Sequence, residues 1–323
     1  MKKIILALLT VACCFALCFV LAGCQNGNAT DASENNLQPE ATDKPDEEAK
    51  TFSNKPFYAL IVGNDTRNGT KDEGKGKHGS DGHQRSDTMM LVRVDPKKYL
   101  ITIVSIPRDT QTTIDGETCK INEAYNRGGI KGSVAKVEEY TGVNIKYYFD
   151  VSFAEFAELV DALGGVDVNV PVNMTFRDIL NGGKITLEAG EQHLEGNEAL
   201  VFARVRKVYQ EMDSSRQYDD RSIVVSLIQK ALDNPSDVAG YIDDFADIVH
   251  TNMSTEKLVY YVNRFVEHSD EVKFYSGSFP ADGDINSADG YWYAWYNPDT
   301  WNAIMGVVDD GGDPNDVYTP PFG

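Results

Sequence analysis

The residues best suited to chemistry in this chain are arginines and aspartates in short, repeated association. Asp65 and Arg67 stand two apart in GNDTR, Arg85 and Asp87 two apart in RSDT, and Arg108 and Asp109 adjoin in SIPRDT. Arg204 and Arg206 follow in FARVR, with Asp213 and Arg216 three apart soon after. A guanidinium is a planar fork of donors that matches phosphate oxygens two at a time and never loses its charge. Several of them converging on one point repel unless an anion lies among them. Asp65 and Asp87 are hard oxygen donors of the kind Mg²⁺ shares with substrate phosphates. Arginines, carboxylates and Mg²⁺ together form a set that stabilises the charge of phosphoryl transfer. A single Arg–Asp neighbour pair is ordinarily a surface salt bridge of little consequence. A set that recurs at strand ends, where α/β proteins build their sites, is harder to assign to the surface.

The elements that must position these residues are legible from periodicity. PFYALIVG (56–63) is apolar on both faces and reads as a central strand. DTMMLVRVD (87–95) and YLITIVSI (99–106) read as a hairpin joined through Pro96, Lys97 and Lys98, with SIPRDT at its exit. VAKVEEYTG reads as a short helix. SFAEFAELVDALGG is a helix with Ser152 as cap, Glu155 completing a capping box and Gly164-Gly165 as its stop. Strand-like KYYFDV before it and VDVNV after it suggest a βαβ unit. GNEALVFAR, IVVSLIQKAL, SDVAGYIDDFADIVH and TEKLVYYVNRFVEH read as amphipathic or buried helices, and KFYSGSF and GYWYAWY as late strands. If Arg204 and Arg206 share a site, the helix before them must end near Ala203, because residues two apart diverge on a helix. Strands mixed with helices throughout indicate a layered α/β/α domain on a central mixed sheet.

The ends of the chain are of a different kind. Lys2 and Lys3 precede an apolar run from Ile4 to Val20, and Leu21-Ala22-Gly23 leads to Cys24. This reads as a secretory leader over residues 1–23; an uncleaved membrane anchor is the alternative, since the run approaches spanning length. Residues 24–54 are polar and read as a tether, leaving 55–323 as the folded domain, with 255–323 as its looser C-terminal part. The tail DDGGDPNDVYTPPFG reads as irregular. Three cysteines lie in the leader and only Cys119 lies in the body, so there is no disulfide framework and no CxxC metal site. Cys119 reads as an inert thiol. The formal net charge of −20 argues against a nucleic-acid partner. His78 and His83, with Asp81, sit in a Gly-rich stretch that reads as surface loop before metal site. GYWYAWY reads first as a strand with one aromatic face buried; a sugar-stacking platform is the alternative. No Ser/His/Asp or GxSxG nucleophile pattern is present.

GNDTR, RSDTMMLVRVDPKK, SIPRDT, KINEAYNRGG, LVDALGGVDV, LEGNEALVFARVR and Asp213-x-x-Arg216 occur in this order over about residues 56–235. Together they resemble the LytR-CpsA-Psr family of cell-wall ligases. LAGC at 21–24 likewise resembles a bacterial lipobox, which implies lipidation of Cys24. The family resemblance implies an extracytoplasmic, membrane-tethered transferase that moves a glycopolymer from a polyprenyl-pyrophosphate carrier to a peptidoglycan hydroxyl. It implies that Arg85, Arg108, Arg204 and Arg206 bind the pyrophosphate with help from Lys120 and Arg216. It implies that Asp65 and Asp87 hold or neighbour Mg²⁺, that Asp213 orients the arginines, and that an apolar pocket takes the polyprenyl chain.

Four departures from the family pattern stand out. Asp219-Asp220 occupies the place of an Arg-Gln pair, which sets carboxylates where a phosphate contact is expected. The segment between Arg67 and Arg85 is long, a lipobox replaces the usual transmembrane anchor, and the chain is strongly acidic. A pyrophosphate hydrolase and a non-catalytic polyprenyl-phosphate-binding lipoprotein remain as alternative readings.

Overall fold

The computed structural model describes residues 52–65, 85–205 and 212–320, excepting the side chains of 212–214. In chain order the elements are β1 (Phe57–Asn64), β2 (Ser86–Asp95), β3 (Leu100–Ser105), β4 (Gln111–Ile114), β5 (Glu117–Lys120), α1 (Glu123–Thr141), β6 (Ile145–Ser152) and α2 (Phe153–Ala162). There follow β7 (Val166–Val170), β8 (Met174–Arg177), β9 (Lys184–Leu187), β10 (Gly190–Leu194), α3 (Gly196–Arg204), α4 (Met212–Asp233) and α5 (Val238–Ile248). The chain closes with β11 (His250–Thr251), α6 (Thr255–Val266), β12 (Lys273–Ser278), β13 (Gly283–Ile285), β14 (Trp292–Ala294) and α7 (Pro298–Asp310).

A six-stranded mixed sheet in the order β11-β6-β1-β2-β3-β12 divides the core. The apolar run of β1 is central, as its two-sided hydrophobicity requires. β2 and β3 form the expected hairpin, with Met90 opposite Ser105 and Asp95 opposite Leu100. The Asp95 carboxylate closes the turn by accepting from the Lys97 and Lys98 backbone N–H groups at 3.2 and 3.1 Å. β6 runs parallel to β1, and β12 parallel to β3. Consequently β1, β3, β6 and β12 all end, and β2 begins, at one edge of the sheet. That edge carries GNDTR, RSDT and SIPRDT.

Alternation along β1 separates two core layers. Tyr58, Leu60 and Val62 pack with Val137 of α1 and with Trp301, Ile304 and Val308 of α7. Phe57, Ala59 and Ile61 face the opposite side, towards α2, α4, α5 and α6. The C-terminal segment contributes to the first layer: Phe279 and Trp301 are fully buried and stack at 3.8 Å. Periodicity does not mark residues 298–310 as a helix, although α7 carries ordinary signals. Asn297 caps it, Pro298 opens it, and Gly311 ends it in the left-handed region at φ 80°.

Two expectations are corrected. VDVNV does not return to the main sheet: β7 pairs antiparallel with β10 in a separate ribbon, so β6–α2–β7 is not a βαβ unit. That ribbon packs with α3 and α4 in a core of its own, centred on Val166, Val170, Leu194 and Phe202. Second, the helix anticipated at VAKVEEYTG begins upstream at Glu123 and spans 19 residues, passing Gly129 with non-helical φ and ψ.

The capping box on α2 is present: Ser152 N–H donates to Glu155 Oε2 at 2.7 Å, and Gly164 and Gly165 adopt positive φ after the last turn. α2 and α3 cross closely enough that a Cβ on Gly196 would lie 2.0 Å from the Ala157 carbonyl oxygen. Gly196→Ala is therefore expected to lower stability by about 1–3 kcal/mol through overpacking. An unchanged urea midpoint for this variant would show that the crossing tolerates a methyl group.

Candidate anion site at the sheet edge

Each charged residue at the sheet edge is held by a local device. Asp65 follows β1 and is tied to the residue before β2, where its carboxylate accepts the Arg85 backbone N–H at 2.7 Å. Its own N–H donates to the Arg85 carbonyl at 3.0 Å. Asp87 sits in a β-bulge: Gly63 faces Thr88 and Asn64 faces Ser86, leaving Asp87 as the extra residue. Bulges of this kind re-aim a side chain near a site. Here Asp87 and its neighbour Thr88 both border the cavity beside the sheet.

Arg108 follows β3 after Pro107. Its Nη1 donates to Asp87 Oδ1, and its Nε lies 3.9 Å from Asp109 Oδ2. Lys120 Nζ ion-pairs with Asp109 Oδ1 at 2.8 Å, which anchors the loop, while the Asn122 N–H donates to the Arg108 carbonyl at 3.2 Å. Arg85 is half-exposed and its Nε stands 3.3 Å from Glu123 Oε2 at the head of α1. Among the described residues neither the buried Nε of Arg85 nor that of Arg108 meets an acceptor in hydrogen-bonding geometry, Glu123 and Asp109 standing only within ion-pair range. Buried donors are normally satisfied, and an anion at this edge would satisfy them.

Arg204 is the last residue of α3, and Val205 turns to an extended conformation, as sharing of a site by Arg204 and Arg206 required. Its guanidinium lies 4.7 Å from the Phe153 ring centroid and borders the cavity. Arg206, the Asp213 side chain, Cys24, Arg67, His78, Asp81 and His83 lie outside the described residues, as do the leader and most of the tether.

The cavity has a volume of about 430 Å³. Its walls are the odd-numbered side of β1, the facing residues of β2 and apolar residues of α2, α4, α5 and α6. Asp87, Thr88, Arg108, Arg204, Arg216 and Asp220 are its charged and polar border. An apolar channel ending in cations suits a long hydrocarbon with an anionic head.

The Asp219-Asp220 departure has a structural resolution. Asp220 Oδ2 accepts from Thr88 Oγ1 at 2.7 Å and pairs with Arg216 Nη1 at 3.0 Å; both charged side chains are about 5% exposed or less. Arg216 Nη1 also reaches Thr88 Oγ1 at 3.1 Å. The carboxylate is neutralised by an arginine one helical turn away. Gln217 and Arg221 do not border the cavity. Gln217 Oε1 accepts from Ser278 Oγ at 2.7 Å, while Arg221 donates to Ser105 and Ser276, both at 2.9 Å. Burial lowers the Arg221 pKa to about 10, which leaves it charged at neutral pH while it joins β3 to β12.

A second buried carboxylate escaped sequence reasoning. Asp150, near the end of β6, accepts from Asn64 Nδ2 at 3.0 Å and from the Tyr125 hydroxyl at 2.9 Å. Burial, then the Asp150 charge, raise the Tyr125 pKa and keep its hydroxyl a donor. This network fixes the end of β1 from beneath Asp65. Asn64 lies in GNDTR and Tyr125 in KINEAYNRGG, but nothing in their spacing announces Asp150 as their partner. Burial also raises the Cys119 pKa, consistent with an unreactive thiol.

Fold and site together define an α/β protein whose cationic sheet edge gives onto an apolar cavity. The chain belongs to the LytR_cpsA_psr family, whose model matches residues 21–305. It is 36% identical over 261 residues to the polyisoprenyl-teichoic acid–peptidoglycan teichoic acid transferase TagU of Bacillus mycoides (strain KBAB4), covering 78% of this chain and 77% of that protein. It is 33% identical over 233 residues to the corresponding transferase TagV of Bacillus subtilis (strain 168), covering 71% of this chain and 56% of that protein. The crystal structure of B. subtilis TagV superposes with a TM-score of 0.67 at 25% identity, covering 83% of this chain and all of that one. The described residues include no helix long and apolar enough to cross a membrane.

Removing the Asp220 charge while keeping its shape tests the paired geometry. Asp220→Asn is expected to retain or raise pyrophosphate affinity, because Arg216 regains unbalanced positive charge. Stability should fall by about 3–5 kcal/mol, as when one partner of a buried pair is removed. Pyrophosphate binding abolished in a variant that still folds would give the carboxylate a direct role in the site.

Proposed function

We propose that this protein is a phosphotransferase that moves a glycopolymer from a polyprenyl-pyrophosphate carrier to peptidoglycan on the outer side of the cell membrane. The observation that carries the reading is Arg108, which borders an apolar cavity, pairs with Asp87 and keeps a buried Nε with no hydrogen-bond acceptor among the described residues, with Arg85 at the same sheet edge. The names of the TagU and TagV relatives supply the polyisoprenyl-linked donor and the peptidoglycan acceptor. A hydroxyl of the acceptor attacks the phosphorus that bears the glycan. The new P–O bond makes a phosphodiester, the P–O bond to the carrier phosphate breaks, and polyprenyl monophosphate leaves. Arg108 and Arg85 hold the pyrophosphate oxygens, Arg204 and Arg206 supply further positive charge, and Lys120 steadies the Arg108 loop through Asp109. The cavity takes the first part of the polyprenyl chain.

Mg²⁺ fits this donor set as a cofactor shared with substrate. Asp65 and Asp87 provide two carboxylates, and Mg²⁺ commonly takes one or two from protein and the rest from phosphates and water. Among the described residues no cluster of three or more His, Cys, Asp or Glu could hold the ion without substrate. When bound, the ion would offset charge on the phosphate oxygens. Cys24, freed by removal of residues 1–23 and lipidated, would tether the domain through residues 24–54 to the membrane that holds the carrier.

A turnover assay with a soluble polyprenyl-pyrophosphate glycan and peptidoglycan is expected to give glycan–peptidoglycan product. Phosphate-bond cleavage with water alone would make the protein a hydrolase, and binding without turnover would make it a carrier-binding lipoprotein. Arg108→Lys should reduce transfer about 100-fold or more, since one ammonium cannot reproduce the two-point contact; near-normal transfer would remove Arg108 from the phosphate. EDTA should stop turnover while leaving the circular dichroism spectrum unchanged, and full activity in EDTA would exclude the ion from the reaction.

A further inference from the structure

The aromatic run at 291–296 buries one side and displays the other: Tyr293 is buried and Tyr296 packs on Tyr140 and Trp301, but the run takes no part in the cavity. β13 and β14 form a short hairpin, with Gly283 opposite Ala294 and Ile285 opposite Trp292. Tyr293 and Ala294 point inward and are buried, while Tyr291, Trp292 and Trp295 are exposed, Trp295 by 55%. Ile285 adds a fourth exposed apolar side chain to the same hairpin. This is the densest group of exposed large apolar side chains among the described residues.

The hairpin is built rigidly. Trp292 lies against Gly283, where a Cβ would come within 2.7 Å of its ring and 2.0 Å of the Tyr293 carbonyl oxygen. The connecting loop is fastened by the Asn286 N–H to the Tyr291 carbonyl at 2.8 Å, and by Asp289, which accepts from the Tyr291 N–H at 2.9 Å and the Tyr293 hydroxyl at 2.8 Å. Aromatic side chains displayed on a frame that does not have to order itself bind with little entropic penalty.

The hairpin is also joined to the anion site. The Ala294 N–H donates to the Asp109 carbonyl at 2.9 Å, and Ala294 forms a parallel bridge with Thr110. Asp109 is the neighbour of Arg108. Trp292 therefore lies in, and Trp295 one residue beyond, a strand whose Ala294 is bonded to the Arg108 loop.

Charge selects the ligand. Residues 274–323 contain eight Asp and no Lys, Arg or His. Asp282 and Asp284 are exposed beside the indoles. Such a surface repels a polyanionic polymer. It suits a neutral sugar, whose hydroxyl and acetamido N–H groups donate to carboxylates while its apolar C–H face lies on an aromatic ring.

We propose that the β13–β14 hairpin is the acceptor subsite, where Trp292 and Trp295 stack on uncharged β-linked amino-sugar rings and bring a hydroxyl towards the phosphate at Arg108. The proposal rests on the transferase reading and assigns the acceptor, and not the phosphate-rich donor polymer, to this surface.

Binding of chitopentaose, an uncharged β-linked N-acetylhexosamine oligomer, can be followed by tryptophan fluorescence. Trp301 is fully buried and supplies a constant background. The oligomer is expected to change the emission saturably, and Trp295→Ala and Trp292→Ala each to weaken its binding about tenfold or more, as for an aromatic anchor. Val172→Ala, at another exposed apolar position, should bind the oligomer as the parent does. Poly(glycerol phosphate), the anionic counterpart, should not compete. No saturable response to chitopentaose, equal binding by the Trp variants, or stronger binding of poly(glycerol phosphate) at the same tryptophans would overturn the assignment. Calorimetric titration of the parent protein with inorganic pyrophosphate reads the anion site separately. Failure there would strike the transferase reading, whereas failure with chitopentaose alone would strike only the hairpin.

Discussion

Like-charge repulsion at one edge of the sheet is the constraint around which the rest of the molecule is arranged. Two unit charges 4 Å apart in a partly dry setting repel by about 4 kcal/mol at an effective dielectric of 20. The site answers with paired carboxylates: Asp87 for Arg108, Glu123 for Arg85, Asp109 for Lys120 and Asp220 for Arg216. Among the described residues these ion pairs leave the buried Nε of Arg85 and of Arg108 without an acceptor in hydrogen-bonding geometry. The edge is thus stable as it stands and still favours an added anion.

The sheet topology supplies the convergence. Four strands end and two begin at the same side of the sheet, so short motifs from distant parts of the chain meet there. The bulge at Asp87 adds one local correction, bringing Asp87 to the cavity border beside Thr88, whose own side chain the regular pleat sends there. Beneath the edge, Asp150 binds Asn64 and Tyr125, and Arg221 binds Ser105 and Ser276, so both halves of the sheet edge are fastened by buried polar contacts. Fixed geometry of this kind lets dipoles and charges act on a phosphate without reorganising first.

The acidic departure and the acidic C-terminal segment play different parts. Asp220 is buried and acts on a single arginine, changing how many cations face the cavity. The aspartates of residues 274–323 lie largely outside the core and set the sign of a whole surface next to the same site. One edge thus attracts an anion while the neighbouring hairpin disfavours one. Adjoining surfaces of opposite preference suit a protein that must hold two chemically different substrates at once.

The sequence by itself determined the elements and the kind of chemistry. Two-sided apolar runs marked β1 and the β2–β3 hairpin, Ser152 and Glu155 marked the start of α2, and Arg and Asp at strand ends marked phosphate as the ligand. These properties are local: they depend on period, capping and charge within a few residues of each other. The tertiary structure alone decided what depends on partners far away in the chain. VDVNV reads as a sheet strand but pairs with β10, because period-2 alternation does not specify a partner. Asp220 reads as facing phosphate but turns to Thr88 across 132 residues. Asp150 carries no motif, since its role exists only once β1, β6 and α1 come together. Which aromatic rings of GYWYAWY are buried is likewise decided by the hairpin: Tyr293 and Ala294 fill the interior, and the indoles of Trp292 and Trp295 are left to the solvent.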